Sequence, residues 1–342
     1  MSAHTVAVTG ATGFVGRHMV SALLDAGLNV NALTRNAGKA SEVLPADAIR
    51  DGRIRVVEGG VLEEGVADRL VDGADACCHL IGIIREAGGR QTFERMHTRA
   101  AERVVRACFD RQERTGERVR YLHMSALGVG GESPVRYRAT KFAGEQAVRD
   151  SGLDWTIFRP GLIHGPDGEF MQMVKSWAEG RSAPFAFMPA FVRPKRDAKT
   201  MGPLPVPLPI PSEWETATVA PVHVDDVCGA FVKALGTPGS VGEIYHLVGA
   251  EELSMEELLG LVRDHVPLGK RGLRVIGVPG VVAAMKAKAA EFVGMGRLLP
   301  FDHGMALMAI EDATAPLDKA REHLGFEPGA FTPAFESYAE SM

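Results

Sequence analysis

The first part of the chain constrains the fold more than any other. A short apolar run, Val6-Ala7-Val8, leads into three glycines spaced G-x-x-G-x-x-G, at Gly10, Gly13 and Gly16. An apolar stripe at helical spacing follows, formed by Val15, Met19, Val20, Leu23 and Leu24. A strand, a glycine loop and a helix in this order predict a phosphate-binding turn, because the unsatisfied N–H groups at the start of a helix attract anions.

Each glycine of the loop has a predicted role. Gly10 permits the tight turn, Gly13 lets the backbone approach a pyrophosphate, and Gly16 lets the helix pack close to the strand. We assign the intervening loop residues to the same cofactor site, namely Thr12, Phe14 and Val15. The spacing differs from the G-x-G-x-x-G of the common dinucleotide fingerprint, and the alternative is a glycine-rich turn that holds no ligand.

The end of the second predicted strand bears on which dinucleotide is bound. In dinucleotide folds that strand tip usually presents an acidic residue to the adenosine ribose hydroxyls. Here Arg35 follows the strand and Lys39 comes shortly after it. Because a guanidinium can bind a 2′-phosphate in a bidentate manner, we predict NADP(H) in preference to NAD(H). The alternative is a solvated arginine at a strand end.

Composition and charge exclude several classes of protein. The chain has 342 residues, 46% of them hydrophobic and 24% charged, which is typical of a globular protein with one large or two ordinary domains. Its net charge of −5 argues against a nucleic-acid partner. The four cysteines show no metal-ligand spacing, so no metal site is predicted and a reducing, cytoplasmic location is expected. We find neither a signal peptide nor an apolar run long enough to span a membrane.

The first half of the chain alternates predicted strands with predicted helices. This alternation predicts an α/β fold of the Rossmann type, a doubly wound parallel sheet, followed by a smaller, mainly helical C-terminal substrate region. Strands are predicted over 5–9, 30–34, 53–58, 74–82, 119–125, 154–159 and 243–248. Helices are predicted over 14–26, 92–112, 137–150, 254–265, 280–293 and 312–323. The predicted domains are 1–165 with a return over 215–250, a Pro-rich insertion over 166–214, and a C-terminal region over 251–342.

Two later segments have open interpretations. Eight of the twenty prolines lie in 184–211, which predicts an extended loop that covers a cleft, docks a partner or is simply exposed to solvent. An apolar stripe with nearby lysines over 276–298 predicts either the lid of a substrate region or contact with a membrane surface.

Three residues could carry acid–base chemistry. Ser125 ends the fifth predicted strand, and Tyr137 and Lys141 stand four residues apart on a predicted helix. That spacing places the phenol and the ammonium on one face of the helix. A nearby cation favours the phenolate, so we expect Lys141 to lower the pKa of Tyr137. Ser125 lies where parallel sheets place ligands and could polarise a substrate carbonyl.

Together these motifs resemble the short-chain dehydrogenase/reductase superfamily, in its extended and atypical branches. The run from Thr9 to Gly16 is similar to the nucleotide loop of that superfamily, and Ser125, Tyr137 and Lys141 match its catalytic triad. The resemblance covers nearly the whole chain and is greatest to the NAD-dependent epimerase/dehydratase group. It implies that the cofactor site also takes in Leu80, Gly82, Tyr137, Lys141, Pro160 and Ile163.

A narrower resemblance is to the nucleotide-binding accessory subunit of respiratory complex I and its bacterial relatives. The segments 80–84, 91–97 and 124–128 carry it, and it implies tightly bound NADPH with a structural role. The chain departs from the extended members at His97, where many of them have an asparagine, and at Gly60, where an aspartate is usual. Two functions follow as alternatives: an NADP(H)-dependent oxidoreductase or epimerase, and a non-catalytic NADPH-binding module. A homodimer or a protein assembly is possible for either.

Overall fold

A computed structural model describes residues 4–181, 186–195, 213–292, 299 and 301–342. The chain divides into two compact units that interleave along the sequence. The first unit consists of 1–163, 222–248 and 315–329, and the second of 164–221, 249–314 and 330–342. Two short strands, β7 (Ile163–His164) and β11 (Val222–His223), lie where the chain passes between the units.

The first unit is built on a seven-stranded sheet in the order β12-β6-β5-β4-β1-β2-β3. Every pairing in it is parallel. This confirms the predicted α/β class. The strands are β1 (Thr5–Thr9), β2 (Asn29–Thr34), β3 (Ile54–Glu58), β4 (Ala76–His79), β5 (Arg120–Met124), β6 (Asp154–Pro160) and β12 (Glu243–Leu247). Its helices are α1 (Phe14–Asp25), α2 (Ala37–Val43), α3 (Ala46–Arg50), α4 (Val66–Val71), α5 (Ala100–Thr115), α6 (Arg136–Arg149), α8 (Val224–Leu235), the 3₁₀ turn Pro238–Ser240 and α12 (Asp318–Leu324).

Successive side chains of each strand point to opposite faces of this sheet, so a separate hydrophobic core forms on each face. Val6 and Val8 of β1 pack in a buried cluster with residues of α1, α8 and α12. Ala7, between them, packs with residues of α4 and α5 on the opposite face. The nearly continuous apolar runs in the sequence are therefore strands covered by helices on both sides.

The second unit combines helices with small sheets. Its helices are α7 (Glu169–Ala178), α9 (Met255–His265), α10 (Gly280–Phe292), α11 (His303–Met308) and α13 (Phe331–Ala339). Its strands are β8 (Met188–Pro194), β9 (Trp214–Thr216), β10 (Thr218–Val219), β13 (Leu253–Ser254) and β14 (Val275–Pro279). Three of these strands form a sheet in the order β14-β8-β9, and β10 pairs with β13.

Several element boundaries differ from the sequence pattern. The helix predicted over 312–323 begins only at Asp318, since Pro316 cannot lie inside a helix. It belongs to the first unit, where Ala320 and Leu324 join the core. The predicted Pro-rich insertion 166–214 contains α7, and β8 lies inside its part 184–211, which was expected to be an extended loop. Residues 196–212, with the densest run of prolines, lie outside the described residues.

Candidate functional site

The glycine loop lies between β1 and α1 and closes as a tight turn. Gly10 has a φ of +70°, a conformation that favours glycine, and the Gly13 N–H donates to Gly10 O at 3.0 Å. A Cβ at Gly16 would lie 1.9 Å from Gly10 O, so only glycine allows α1 to start this close to β1. Within the described chain no side chain caps the start of α1. Its first N–H groups therefore suit an anion.

The remaining predicted cofactor residues lie around the same sheet edge. Leu80 follows β4, and its N–H donates to Thr9 Oγ1 at 3.0 Å. Pro160 ends β6 and accepts the Leu127 N–H at 2.8 Å. Four of the predicted residues are partly buried and pack against the core: Phe14, Val15, Leu80 and Ile163. Thr12 is half-buried.

The tip of β2 places Arg35 in an exposed position. Next to it, Asn36 caps α2 by accepting the Lys39 N–H at 3.1 Å. The Glu58 carboxylate ends the neighbouring strand β3 and accepts the Ala37 N–H at 3.1 Å. The sequence interpretation overlooked this carboxylate, which places a negative charge beside the predicted 2′-phosphate site.

Gly59 and Gly60 continue from β3 in a conformation that needs a glycine. Gly59 has a φ of +143°, and a Cβ there would lie 2.7 Å from Val66 Cγ2. A Cβ at Gly60 would lie 2.9 Å from a Glu63 carboxylate oxygen. Glu63 therefore occupies space that a larger side chain at position 60 would need.

Two of the proposed acid–base residues, Ser125 and Lys141, lie at the carboxyl end of β5. Tyr137 and Lys141 lie one turn apart on α6. The buried Lys141 Nζ donates to Met124 O at 2.9 Å, which anchors the ammonium next to Ser125. Ser125 is 3% exposed, and its Oγ has no partner among the described residues. A buried hydroxyl of this kind is available to a substrate oxygen.

The pKa shifts correct one expectation. Burial raises the pKa of Tyr137 to about 12, and Arg138 lowers it by less. The expected lowering of this pKa by Lys141 is therefore wrong for the structure as it stands. Burial lowers the pKa of Lys141 to about 8, against an opposing effect of Glu145. At neutral pH the pair consists of a protonated phenol and a charged ammonium.

His97 lies on a single π-helical turn, Glu94–Arg99, that leads into α5. Its Nδ1 is 3.0 Å from Thr140 Oγ1, and its Nε2 is 3.0 Å from Ile83 O. A Cβ placed on Gly82 would lie 3.0 Å from Lys141 Nζ and 3.9 Å from His97 Nε2. The lack of a side chain at Gly82 thus lets the backbone lie close to both side chains. The turn Glu94–Arg99 is itself notable, because π-helical turns are frequent at functional sites.

The phenol of Tyr137 stands among aromatic rings. Its ring meets His97 edge-on at 5.1 Å between centroids and meets Phe93 edge-on at 5.8 Å. Phe93 and His97 stack at 5.3 Å. Burial, with a smaller effect of Lys141, lowers the pKa of His97 to about 2, so the imidazole is neutral.

A second polar row lies beneath these residues, inside the sheet. Thr9, His79 and His123 occupy equivalent positions on β1, β4 and β5. His79 Nδ1 is 3.0 Å from Thr9 Oγ1, and the rings of His79 and His123 stack at 5.4 Å. Neither His123 nitrogen has a partner among the described residues. Burial lowers the pKa of His79 to about 3, and burial lowers the pKa of His123 well below its usual value.

Sequence reasoning missed this row, although a signal was present. His123 lies two residues before Ser125, and period-2 alternation puts both on one face of β5. His79 ends β4 directly before Leu80, which was assigned to the cofactor site. Alternation could have placed both histidines beneath the site. It could not have shown that His79 Nε2 and both His123 nitrogens lack a partner among the described residues.

The comparisons with known proteins agree with this geometry. Residues 10–179 match the NAD(P)H-binding family. The chain is 32% identical to the ceramide reductase of Caulobacter vibrioides over 237 residues, covering 68% of this chain and 61% of that one. It is 27% identical to NADH dehydrogenase [ubiquinone] 1 alpha subcomplex subunit 9, mitochondrial, of Arabidopsis thaliana, covering 84% of this chain and 63% of that one.

A solved structure shares the fold. The UDP-glucuronic acid 4-epimerase from Bacillus cereus, in complex with NAD, superposes with a TM-score of 0.66 at 17% identity, covering 98% of this chain and 97% of that one. The chain belongs to the short-chain dehydrogenase/reductase superfamily. It spans about three fifths of the length of the first curated relatives it matches.

The site of this short-chain dehydrogenase/reductase fits a nicotinamide dinucleotide. The Gly10–Gly16 turn leaves room for a pyrophosphate against the backbone, with the uncapped start of α1 behind it. The buried Ser125 Oγ, at the end of β5 where ligands of such sheets bind, has no partner in the part of the chain that the structure describes. Binding of NAD(P) is therefore supported by both the family and the geometry.

Proposed function

We propose that this chain is an NADP(H)-dependent oxidoreductase or epimerase/dehydratase that uses Ser125, Tyr137 and Lys141. The observation that carries the proposal is the 2.9 Å hydrogen bond from Lys141 Nζ to Met124 O. It holds the ammonium beside the unpartnered Ser125 hydroxyl, with Tyr137 one helical turn away. A bound nicotinamide would supply or accept the hydride.

Ser125 and Tyr137 would have different roles in the reaction. The Ser125 hydroxyl would donate a hydrogen bond to the substrate oxygen and hold it in place. The Tyr137 phenol, protonated at neutral pH, would pass its proton to that oxygen as a carbonyl is reduced to an alcohol. The raised pKa of Tyr137 keeps the phenol protonated at neutral pH, and the reductive direction needs a protonated phenol. A curated relative is named a ceramide reductase, and this name agrees with the reductive direction.

The preference for NADP(H) rests on Arg35. Its exposed guanidinium follows β2 and would bind the 2′-phosphate. We expect Arg35→Ser to weaken NADPH binding by roughly tenfold or more, since a charge-assisted hydrogen bond contributes about 1.5–3 kcal/mol. NADH binding should change little. Arg50→Ser, an exposed arginine on α3, is the control, and equal losses for both cofactors would contradict the assignment.

Tyr137→Phe tests the catalytic proposal. The phenol proton is lost while the ring remains, so kcat on a reducible carbonyl should fall by about 10²–10⁴. The Kd for NADPH should stay the same. Tyr121→Phe is the matched control, because the Tyr121 hydroxyl is buried and has no partner among the described residues. Turnover that survives in Tyr137→Phe would contradict the mechanism.

The second candidate is a non-catalytic NADPH-binding module. The relative from Arabidopsis thaliana, named as a subunit of an NADH dehydrogenase, favours it, as does His97 at the position where extended members often have asparagine. Bound cofactor would then stabilise the fold by mass action. NADPH that co-purifies and is not oxidised by a panel of carbonyls and quinones would support the module over the enzyme. A cytoplasmic location suits either function, since all four cysteines are buried and free.

A further inference from the structure

Helix α10 of the second unit exposes large apolar side chains. Val281 is 55% exposed, Val282 47%, Met285 67% and Phe292 92%. Its opposite side is packed and lined by small residues, Ala283, Ala284 and Ala287. We call the exposed stripe the α10 face; it consists of Val281, Val282, Met285, Lys288, Ala289 and Phe292.

This arrangement of residue sizes is the reverse of that in an ordinary surface helix. A helix that packs on a core normally turns its large apolar residues inward. In α10 the alanines face the core, and the valines, the methionine and the phenylalanine face outward. Neighbouring Ile276 of β14 is also 36% exposed. Such a contiguous apolar surface indicates a binding face rather than scattered exposure.

The charges on α10 point to the kind of partner. The helix carries two basic residues, Lys286 and Lys288, and one acidic residue, Glu291, although the chain as a whole has a net charge of −5. Lys288 lies within the exposed stripe and Lys286 beside it, both exposed. Lysines in these positions can extend their ammonium groups to phosphate headgroups while their alkyl chains join the apolar surface.

We propose that the α10 face binds the surface of an anionic lipid bilayer. The large apolar side chains enter the headgroup–acyl boundary, and Lys286 and Lys288 pair with anionic headgroups. The described residues contain no helix long and apolar enough to cross a bilayer, so the contact is with one leaflet. The inference is independent of whether the first unit catalyses a reaction or only holds its cofactor.

Vesicle binding of the full chain tests this proposal. We expect co-sedimentation with vesicles of phosphatidylcholine and phosphatidylglycerol, and much less with phosphatidylcholine alone. Val282→Glu should weaken the binding by roughly tenfold, the equivalent of keeping one valine out of the apolar layer. Lys286→Glu combined with Lys288→Glu should weaken it by tenfold or more. Val241→Glu, an exposed valine of the first unit, is the matched control and should bind as the parent does.

Three results would overturn the proposal. The first is a lack of binding to vesicles of either composition. The second is binding that Val282→Glu and Val241→Glu reduce equally. The third is a concentration-dependent dimer that Met285→Glu dissociates while vesicles bind nothing, which would assign the face to a second copy of the chain. The urea midpoint of each variant shows whether it remains folded, and the exposed positions predict an unchanged midpoint.

Discussion

Two regions of this molecule reverse the usual distribution of polar and apolar groups, in opposite directions. At the carboxyl edge of the sheet in the first unit, Lys141, His79, His97 and His123 are all buried. On the α10 face in the second unit, valine, methionine and phenylalanine side chains are exposed. A buried polar group and an exposed apolar patch are the two departures that most often indicate function.

The two regions differ in how firmly their residues are held. Around Lys141 the ammonium donates to Met124 O, and Gly82 leaves no space for a Cβ between the backbone and Lys141 Nζ. On the α10 face no such network holds the outward side chains among the residues that the structure describes, whereas the alanines beneath them pack in a buried cluster. The first region is therefore built to fix geometry, and substitutions there should be costly. The second should tolerate substitution of its outer residues without loss of stability.

The largest expected effect is at the glycine loop of the first unit. Gly16→Ala places a Cβ 1.9 Å from Gly10 O, so the backbone must shift. We expect a loss of about 3 kcal/mol in the free energy of unfolding, at the upper end for overpacking, and loss of NADPH binding. Gly229→Ala on α8 is the control, because a Cβ there meets nothing within 4 Å.

The control should gain stability by about 0.5–1 kcal/mol, since alanine favours a helix. Urea unfolding and NADPH titration of both variants measure the difference. Equal stability of the two variants would show that the close approach of α1 to β1 is not needed.

Acid should weaken the first unit through its buried histidines. The pKa of His97 lies at about 2 and that of His79 at about 3, both below the ordinary value of 6.5. The unfolded chain therefore takes up protons first as the pH falls. The contribution of these neutral histidines to the free energy of unfolding is fully present above about pH 6.5 and decreases below it. Between about pH 7 and about pH 5 the decrease is about 2 kcal/mol for each histidine.

Urea unfolding at the two pH values measures this loss. His97→Asn should reduce the acid-induced loss of unfolding free energy by the part that His97 contributes. His4→Asn, at an exposed position, should leave that part in place. An acid slope that is the same in His97→Asn and in the parent would contradict the assignment.

The sequence predicted the sheet well, because local patterns determine it. The strand–glycine–helix order at Gly10 to Gly16 and the alternation of later elements give the α/β class without tertiary information. The i, i+4 spacing of Tyr137 and Lys141 likewise fixes their common helix face. These features depend on spacing along one chain segment.

What the sequence did not predict depends on contacts between distant segments. The pKa of Tyr137 was expected to fall beside Lys141, but burial raises it, and burial is a tertiary property. The row of Thr9, His79 and His123 arises from strand register. The Glu58 carboxylate reaches the start of α2 across neighbouring strands. Local periodicity gives the strand face on which each histidine lies, but it gives neither the register of the strands, nor the burial of Tyr137, nor the contact of Glu58.

The smallest expected effect tests both reversed regions together. His123 is buried, and neither of its nitrogens has a partner in the described ranges, so His123→Leu should raise the free energy of unfolding by about 1 kcal/mol. Met285→Ser on the α10 face replaces a side chain that is 67% exposed and should stay within about 0.5 kcal/mol of the parent. The first change puts an apolar side chain at a buried position, and the second puts a polar side chain at an exposed one. Neither should lower stability if the two residues serve function rather than folding. Clear destabilisation by either change in urea unfolding would mean that the residue contributes to the fold itself. The region that contains it would then no longer be evidence for function.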